Sequence, residues 1–143
     1  MRLSIVSFQK NRNAHLEAVE AEYIKRLRPH AQIDLHPVKR WDDQTTLPAA
    51  LAKAHRRIGL FLDGKAWDSA GLARRLDQLR QGGASHLLLA IGAHEGMPAA
   101  VAAHMQERWS LSNLTFSHQL ARLLLLEALY RSFDILHGGR YHK

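Results

Sequence analysis

Cysteine is absent from this sequence, and so is any long run of apolar residues. Without cysteine the chain has no disulfide framework, no thiolate metal site and no cysteine nucleophile. Apolar runs such as residues 123–126 fall far short of the roughly 20 residues that a membrane-spanning helix needs. The first eight residues are too short an apolar stretch for a signal peptide and contain no cleavage site. We therefore expect a cytoplasmic protein with no membrane partner.

Acidic residues are scarce relative to basic ones. Thirteen Asp and Glu stand against 20 Lys and Arg, which gives a formal net charge of +7 and a sequence pI of about 10.2. A small basic protein suggests a polyanionic partner, nucleic acid above all. The alternative is a basic surface that is merely solvated.

What remains is the composition of an ordinary globular chain, with 143 residues of which 46% are hydrophobic. A chain of this length buries enough surface to fold without covalent staples. We assign residues 1–143 to a single domain.

Strand patterns alternate with helical patterns along the chain. Apolar stretches predict strands over residues 3–8, 33–38, 58–62 and 86–91, the second of them an edge strand because it contains Pro37. Helices are predicted from a cap at Asn13 to Pro29, over 47–57, from Asp68 or Ser69 to Arg80, over 98–106, and from Ser117 or His118 to Leu136. Residues 109–116 are predicted to be irregular or extended. This order predicts an α/β fold with a mainly parallel sheet covered on both faces.

Ligands of such folds bind at the carboxyl ends of the strands. The candidate site therefore consists of three connections: the one after Leu62, the one after Ile91, and residues 111–117. The second connection, Gly92-Ala93-His94-Glu95-Gly96, has glycines that allow close backbone approach to a ligand, but it lacks the pattern of a P-loop or a dinucleotide fingerprint. The alternative is an ordinary strand-to-helix turn. The ten histidines form no metal-binding pattern, so we expect no metal.

The last predicted helix carries charged residues inside an otherwise apolar sequence. Arg122, Glu127 and Arg131 are surrounded by leucines on nearly all sides. Glu127 and Arg131 have the spacing of a surface ion pair, which is the simplest interpretation. A helix that is apolar all round is buried, however, and buried charges need partners. A dimer interface or an active site would supply them.

Motifs spread over the whole chain together resemble a known family. They are Leu62-Asp63-Gly64-Lys65, Ile91-Gly92-Ala93-His94-Glu95-Gly96, Trp109-Ser110-Leu111-Ser112, Leu114-Thr115-Phe116-Ser117-His118-Gln119, Arg122, Leu126-Glu127-Ala128-Leu129-Tyr130-Arg131 and Tyr141-His142-Lys143. In order and spacing they are similar to the small RlmH-type members of the SPOUT methyltransferase class. The resemblance implies a SPOUT-type parallel-sheet α/β fold with a C-terminal trefoil knot, and a homodimer. It also implies an S-adenosylmethionine-dependent enzyme that methylates N3 of a pseudouridine in helix 69 of 23S rRNA, the large-subunit rRNA, on the assembled ribosome.

The same resemblance implies which residues bind S-adenosylmethionine. They are Leu60, Gly92, Leu111, Ser112, Asn113, Leu114, Thr115 and Phe116. Two positions depart from the family pattern: Ala93 stands where a second glycine is usual, and Ser117 where a proline commonly precedes the histidine. His94 is also unusual in its loop, and we assign it no role.

Removal of the imide proton from N3 calls for a general base and for groups that stabilise the developing anion. His142 is the most attractive base by residue type, while Tyr141, Arg122 and Lys143 are candidates to orient the substrate or stabilise charge. Without the resemblance, the terminal Tyr141-His142-Lys143 would be interpreted as a frayed basic end. In a dimer, one protomer's tail can lie near the other's cofactor site.

Phosphate contacts are expected from exposed basic residues, for which the candidates are Lys10, Arg12, Lys25, Arg26, Lys39 and Arg40. Two other hypotheses stay open. One is a non-catalytic RNA-binding protein that retains the fold, which predicts no affinity for S-adenosylmethionine. The other is a nucleotide-binding enzyme that uses residues 92–96 for phosphate, which predicts affinity for ATP.

Overall fold

A parallel sheet of five strands forms the centre of the fold in the computed structural model, which describes all 143 residues. The strands are β1 (Arg2–Phe8), β2 (Gln32–Val38), β3 (Arg56–Ala66), β4 (His86–Ile91) and β5 (Glu107–Ser110). Their order across the sheet is β2-β1-β4-β3-β5, and every neighbouring pair is parallel. The parallel α/β fold is thereby confirmed.

Helices cover both faces of this sheet. They are α1 (Ala14–Leu27), α2 (Ala49–Ala52), α3 (Ser69–Gln81), α4 (Ala99–Ala102) and α5 (His118–Leu136). The three long helices α1, α3 and α5 bury their leucines against one face, and the one-turn helices α2 and α4 cover the other. Successive residues of β1 and β4 alternate between the two cores because side chains alternate across a strand. None of these helices combines the length and apolarity needed to cross a membrane.

Local hydrogen bonds explain where the long helices begin. The Asn13 side chain accepts from the backbone N–H groups of His15 and Leu16 at 3.0 and 3.1 Å, and Asp68 accepts from Gly71 at 2.6 Å. These are the expected N-caps. Ser117, one of the two departures noted above, caps α5 by accepting from the backbone N–H of Leu120 at 3.3 Å.

The structure corrects the predicted extents of four elements. The helices predicted over 47–57 and 98–106 are single turns, because the residues that follow them are drawn into the sheet, where Gln106 N–H donates to the carbonyl of Arg57 at 2.8 Å. β3 continues past Leu62, and the predicted loop after it rejoins the sheet where Lys65 and Ala66 pair with β5. β5 begins two residues before the segment predicted to be irregular or extended and includes its first two residues, since four residues are too few to display an alternating pattern.

All four crossovers between parallel strands have the same hand. Connections through α1 and α3 step one way along the sheet on one face, and those through α2 and α4 step the other way on the opposite face. This is the consistency that parallel βαβ units require. It brings residues 61–64 of β3 and the connections after β4 and β5 to the carboxyl edge of neighbouring strands.

Candidate active site

The irregular part of β3 at residues 60–63 and the connections after β4 and β5 enclose a cavity of about 350 Å³, which we call the edge pocket. Seven of the residues expected to bind the cofactor line it: Leu60, Gly92, Leu111, Ser112, Leu114, Thr115 and Phe116. Asn113 belongs to the same segment but does not line the cavity. The lining residues that sequence reasoning did not select include Phe61, Leu62, Asp63, His94, Met97, Ser110 and Ala121. Several of them flank the selected positions, so their place next to those positions in the sequence is the signal that indicates them.

The connection after β4 is a closed turn. Ala93 N–H donates to the Gly96 carbonyl at 3.1 Å, and Gly96 N–H donates back to the Ala93 carbonyl at 2.9 Å, which puts His94 and Glu95 at the tip. Gly96 has φ of +104°, a conformation that favours glycine, whereas Ala93 has no such requirement. The departure at Ala93 is therefore compatible with the turn.

Gly92 is needed for a reason other than the expected one. A Cβ atom at this position would lie 2.7 Å from the backbone nitrogen of Met97 and 2.8 Å from the carbonyl carbon of Gly96. The glycine lets the loop fold back on itself, so its first role is to close the turn that forms one wall of the edge pocket.

The segment after β5 forms the opposite wall through its own hydrogen bonds. Ser110 Oγ donates to the Ser112 carbonyl at 2.9 Å, and Leu114 N–H donates to Ser112 Oγ at 3.0 Å. Leu62 and Leu114 form an apolar rim, with 57% and 69% of their surface exposed. Rim side chains that are this exposed are available to a ligand or to a second chain.

Charge is sparse in the edge pocket. Its ionisable lining residues are Asp63 and His94. Arg108 donates to Asp63 at 2.7 Å, and this hydrogen bond lowers the pKa of the Asp63 carboxyl. The remaining lining is mostly apolar, with hydroxyl and backbone groups between. Such a cavity suits an uncharged heteroaromatic ring, which apolar side chains sandwich and backbone groups orient.

Arg122 does not line this pocket. Its guanidinium donates to both carboxylate oxygens of Glu20, at 2.5 and 2.8 Å, and Nη1 lies 3.2 Å from both Ser7 Oγ and Gln9 Oε1. The two charged side chains are only 4% and 3% exposed. Sequence reasoning missed Glu20, although its spacing from Leu16 and Leu27 puts it on the apolar stripe of α1.

The C-terminal tail folds back along the outer side of α5. The Tyr141 hydroxyl donates to Glu127 Oε1 at 2.9 Å and lies 3.1 Å from the hydroxyl of Tyr23 on α1. Burial, together with these two contacts, raises the pKa of Tyr141 far above its ordinary value. His142 is exposed, with Nδ1 at 3.0 Å from Nη1 of Arg131, and Lys143 is exposed. Within one chain the structure therefore brings the tail to neither the edge pocket nor Arg122.

Two buried nitrogen atoms near the site have no hydrogen-bond partner, Nε1 of Trp67 and Nε2 of His118. Trp67 lines a small second cavity beside the edge pocket, which also includes Glu127 and Arg131. Burial, followed by the charge of Arg122, lowers the pKa of His118. Elsewhere, no cluster of three or more His, Asp or Glu side chains is arranged to hold a metal ion.

Comparisons with known proteins agree with this architecture. A family model described as "Predicted SPOUT methyltransferase" matches residues 1–142. Proteins named "Ribosomal RNA large subunit methyltransferase H" from Bacillus pumilus and from an Anaeromyxobacter species are each 34% identical, with 100% of both chains covered. One of the same name from Legionella pneumophila is 41% identical over 82% of this chain and 74% of its own.

A solved structure shares the fold at much lower sequence similarity. It is that of a probable methylase family protein from Haemophilus influenzae, with a TM-score of 0.62 and 10% identity. The likeness covers 99% of this chain and 70% of that one.

Proposed function

Because this chain belongs to the SPOUT methyltransferase family, we propose that it transfers a methyl group from S-adenosylmethionine to ribosomal RNA of the large subunit. The family resemblance of the motifs is confirmed, and the finer proposal follows it: the acceptor is N3 of a pseudouridine in helix 69 of 23S rRNA, on the assembled ribosome in the cytoplasm. The observation that carries the proposal is the edge pocket, where three separate segments bring together seven of the eight expected cofactor residues. The names of the full-length relatives support the RNA class.

The edge pocket fits S-adenosylmethionine in size and chemistry. Its volume is within the usual range for small-molecule sites, and its walls are mostly apolar. We assign the adenine ring to the space between the Leu60 side of the pocket and the segment 111–116. The turn that Gly92 and Gly96 close would hold the rest of the molecule. When bound, the sulfonium supplies an electrophilic methyl group, so the protein's main task is to position the acceptor nitrogen.

The acceptor N3 carries a proton that must leave before or during transfer. Tyr141 does not suit the role of base, because a phenol with a raised pKa stays protonated and donates hydrogen bonds. His142 retains the residue type for a base, and its ring is exposed at the end of the tail. We assign proton removal to His142 and orientation of the tail to Tyr141, with Lys143 beside the developing negative charge.

The tail acts on the edge pocket of a partner chain in this proposal. Within one protomer, Tyr141 lies on Glu127 and Tyr23, and no tail residue lines the pocket. A homodimer resolves this separation, since the exposed rim formed by Leu62 and Leu114 offers apolar surface to a second copy.

Mixing two inactive variants tests both the dimer and the tail. One variant carries Gly92→Val, and the other lacks residues 141–143. If the tail acts in trans, hybrid dimers combine an intact pocket with an intact tail, so a one-to-one mixture recovers about a quarter of wild-type activity. If each tail serves its own chain, every hybrid site is defective and the mixture stays inactive.

The trefoil knot is also part of the proposal. β3 pairs with Trp109 at Leu60 and again at Lys65, so residues 61–64 form a loop at the point where the chain leaves β5 for α5. Four residues are too few to enclose another stretch of chain, so we propose that the C-terminal part of the chain is threaded through a longer loop formed by the preceding segments, as the family resemblance implies. Pulling the chain by its two ends tests the threading, because a tightened knot leaves the unfolded chain shorter than 143 residues at roughly 3.3–3.6 Å each. Full extension would contradict it.

Calorimetry tests cofactor binding and separates the alternatives. The methyltransferase proposal predicts heat of binding with S-adenosylmethionine and none with ATP. Binding of neither favours a non-catalytic RNA-binding protein, and binding of ATP alone favours a nucleotide-dependent enzyme.

A further inference from the structure

Of the six basic residues expected to contact phosphate, the structure shows two that are paired with carboxylates, one that lies far from the edge pocket, and three that are unpaired and close to it. Arg12 is already engaged with Glu17, with two hydrogen bonds of 2.8 and 2.9 Å. Arg26 donates to Glu22 at 3.1 Å, and its guanidinium lies 5.4 Å from the ring centre of Tyr23. Their charges are largely compensated, so neither adds much to the attraction of a polyanion.

Lys25 is uncompensated but lies elsewhere. It is eleven residues after Ala14, the first residue of α1, which corresponds to roughly 16 Å along the helix at 1.5 Å per residue. Since α1 begins just after the carboxyl end of β1 and runs back toward the amino edge of the sheet, Lys25 is far from the edge pocket.

Lys10, Lys39 and Arg40 remain, and they form a group that we call the basic strip. They lie within two residues of the ends of the adjacent strands β1 and β2, which end side by side where Phe8 pairs with Val38. All three side chains are exposed, and none makes an ion pair. Lys10 Nζ lies 5.7 Å from the ring centre of Trp41, which fixes one end of the strip.

The basic strip adjoins the edge pocket. β1 is paired with β4 up to Ser7 and Ile91, so its end lies one strand spacing, about 5 Å, from the Gly92 turn. The end of β2 is one strand further, at about 10 Å. A nucleotide whose base reaches the mouth of the pocket, where the methyl group would be presented, would therefore have its flanking phosphates within reach of these three residues.

We propose that the backbone of the RNA substrate crosses the carboxyl edge of the sheet along Lys10, Lys39 and Arg40, next to the edge pocket. This inference rests on the proposed function and names the surface through which the substrate is held. Contacts of this kind position the RNA without reading its sequence.

The carboxylates near the basic strip do not form ion pairs with its three cations. Glu17 is paired with Arg12, and Asp42 is exposed, with Oδ1 accepting from the backbone N–H of Gln44 at 2.9 Å. Asp42, Asp43 and, on the Gly92 turn, Glu95 make no ion pair, so all three oppose a phosphate here. Asp43 is the one whose side chain makes no hydrogen bond and that follows Arg40 closely in the sequence. Its removal should strengthen binding.

The test compares two triple variants with equal loss of charge. The first, Lys10→Ala/Lys39→Ala/Arg40→Ala, removes the strip. The control, Lys25→Ala/Lys53→Ala/Arg74→Ala, removes three exposed cations that make no ion pair and lie away from the carboxyl edge. Affinity for a large-subunit rRNA stem-loop is measured over a range of salt concentrations. Each phosphate contact contributes about 0.7 to the steepness with which log K falls against log salt. Loss of the strip should therefore make this dependence shallower by about 2, whereas the control variant should keep the wild-type dependence.

Asp43→Asn tests the proposal in the opposite direction, because removal of this negative charge should raise RNA affinity relative to wild type. Equal losses in the two triple variants, or an unchanged slope in the strip variant, would overturn the proposal. Affinity for S-adenosylmethionine is measured alongside and should be the same in all of these variants. A wild-type protein that binds RNA through the strip but never methylates ribosomes would contradict the proposed function and leave the strip in place.

Discussion

The buried ion pair between Arg122 and Glu20 yields the sharpest stability prediction. Glu20→Gln keeps the size of the side chain but removes its charge, and the guanidinium is left with Ser7, Gln9 and an amide. Because the two side chains are only 4% and 3% exposed, water is a poor replacement for the lost partner. Breaking a buried pair in this way costs about 3–5 kcal/mol.

Thermal unfolding at fixed protein concentration measures this effect. For a chain of this length, 1 kcal/mol corresponds to roughly 2–4 °C, so the variant should unfold about 10 °C below wild type. The double variant Glu20→Leu/Arg122→Met removes both charges and should recover most of the loss. A Glu20→Gln protein within about 1 kcal/mol of wild type, or a double variant no more stable than the single one, would refute the reasoning.

The double variant also decides what Arg122 does. If the guanidinium serves catalysis, a stable Glu20→Leu/Arg122→Met protein binds S-adenosylmethionine but transfers no methyl groups. If its role is to join α5 to α1 and to the end of β1, the double variant stays active. The contacts with Glu20, Ser7 and Gln9 favour the second outcome.

Three further predictions concern caps, turns and pH. Asn13→Ala removes two N-terminal hydrogen bonds of α1 and should lower the free energy of unfolding by about 1 kcal/mol in urea titrations, and no change would contradict the cap. Gly96→Ala and the matched control Gly83→Ala both place a side chain at positive φ, with a strain of about 1–2 kcal/mol, but only the first should weaken S-adenosylmethionine binding. Equal affinity in the two variants would remove the Gly96 turn from the site. Burial, with the neighbouring His137, lowers the pKa of His30 below its ordinary 6.5, so the unfolded chain takes up the proton first as pH falls. Stability should therefore be lost below pH 6.5, less so in His30→Phe, and equal urea midpoints of wild type at pH 7.0 and 5.5 would contradict this.

Sequence reasoning succeeded where the periodicity was long or the capping chemistry explicit. Asn13 and Asp68 start helices as predicted, and the strand at His86–Ile91 is as apolar as its burial on two faces requires. It failed for α2 and α4, where alanine-rich sequence favours a long helix. Pairing of β3 with β5 takes the residues that follow both helices. Helix propensity depends on the local sequence, whereas the sheet contacts that compete with it join residues far apart in the chain.

The candidate site shows the same division. The connections that form the edge pocket follow from strand order, and the family resemblance supplies residues such as Leu60 and Leu111. The ion pair of Arg122 with Glu20 joins positions 102 residues apart. No local sequence pattern indicates which of several glutamates pairs with a buried arginine. The same holds for Gly92, whose backbone neighbours at Gly96 and Met97 become visible only once the loop is closed.

Methyl transfer to the ribosome tests the central claim most directly. The purified wild-type protein is incubated with ribosomes that lack the modification and with S-adenosylmethionine carrying a labelled methyl group, and the labelled rRNA is digested and mapped. The account predicts label at N3 of a pseudouridine in helix 69 of the large-subunit rRNA. A folded protein that binds S-adenosylmethionine yet leaves all rRNA unlabelled, or that labels a different atom, would contradict it.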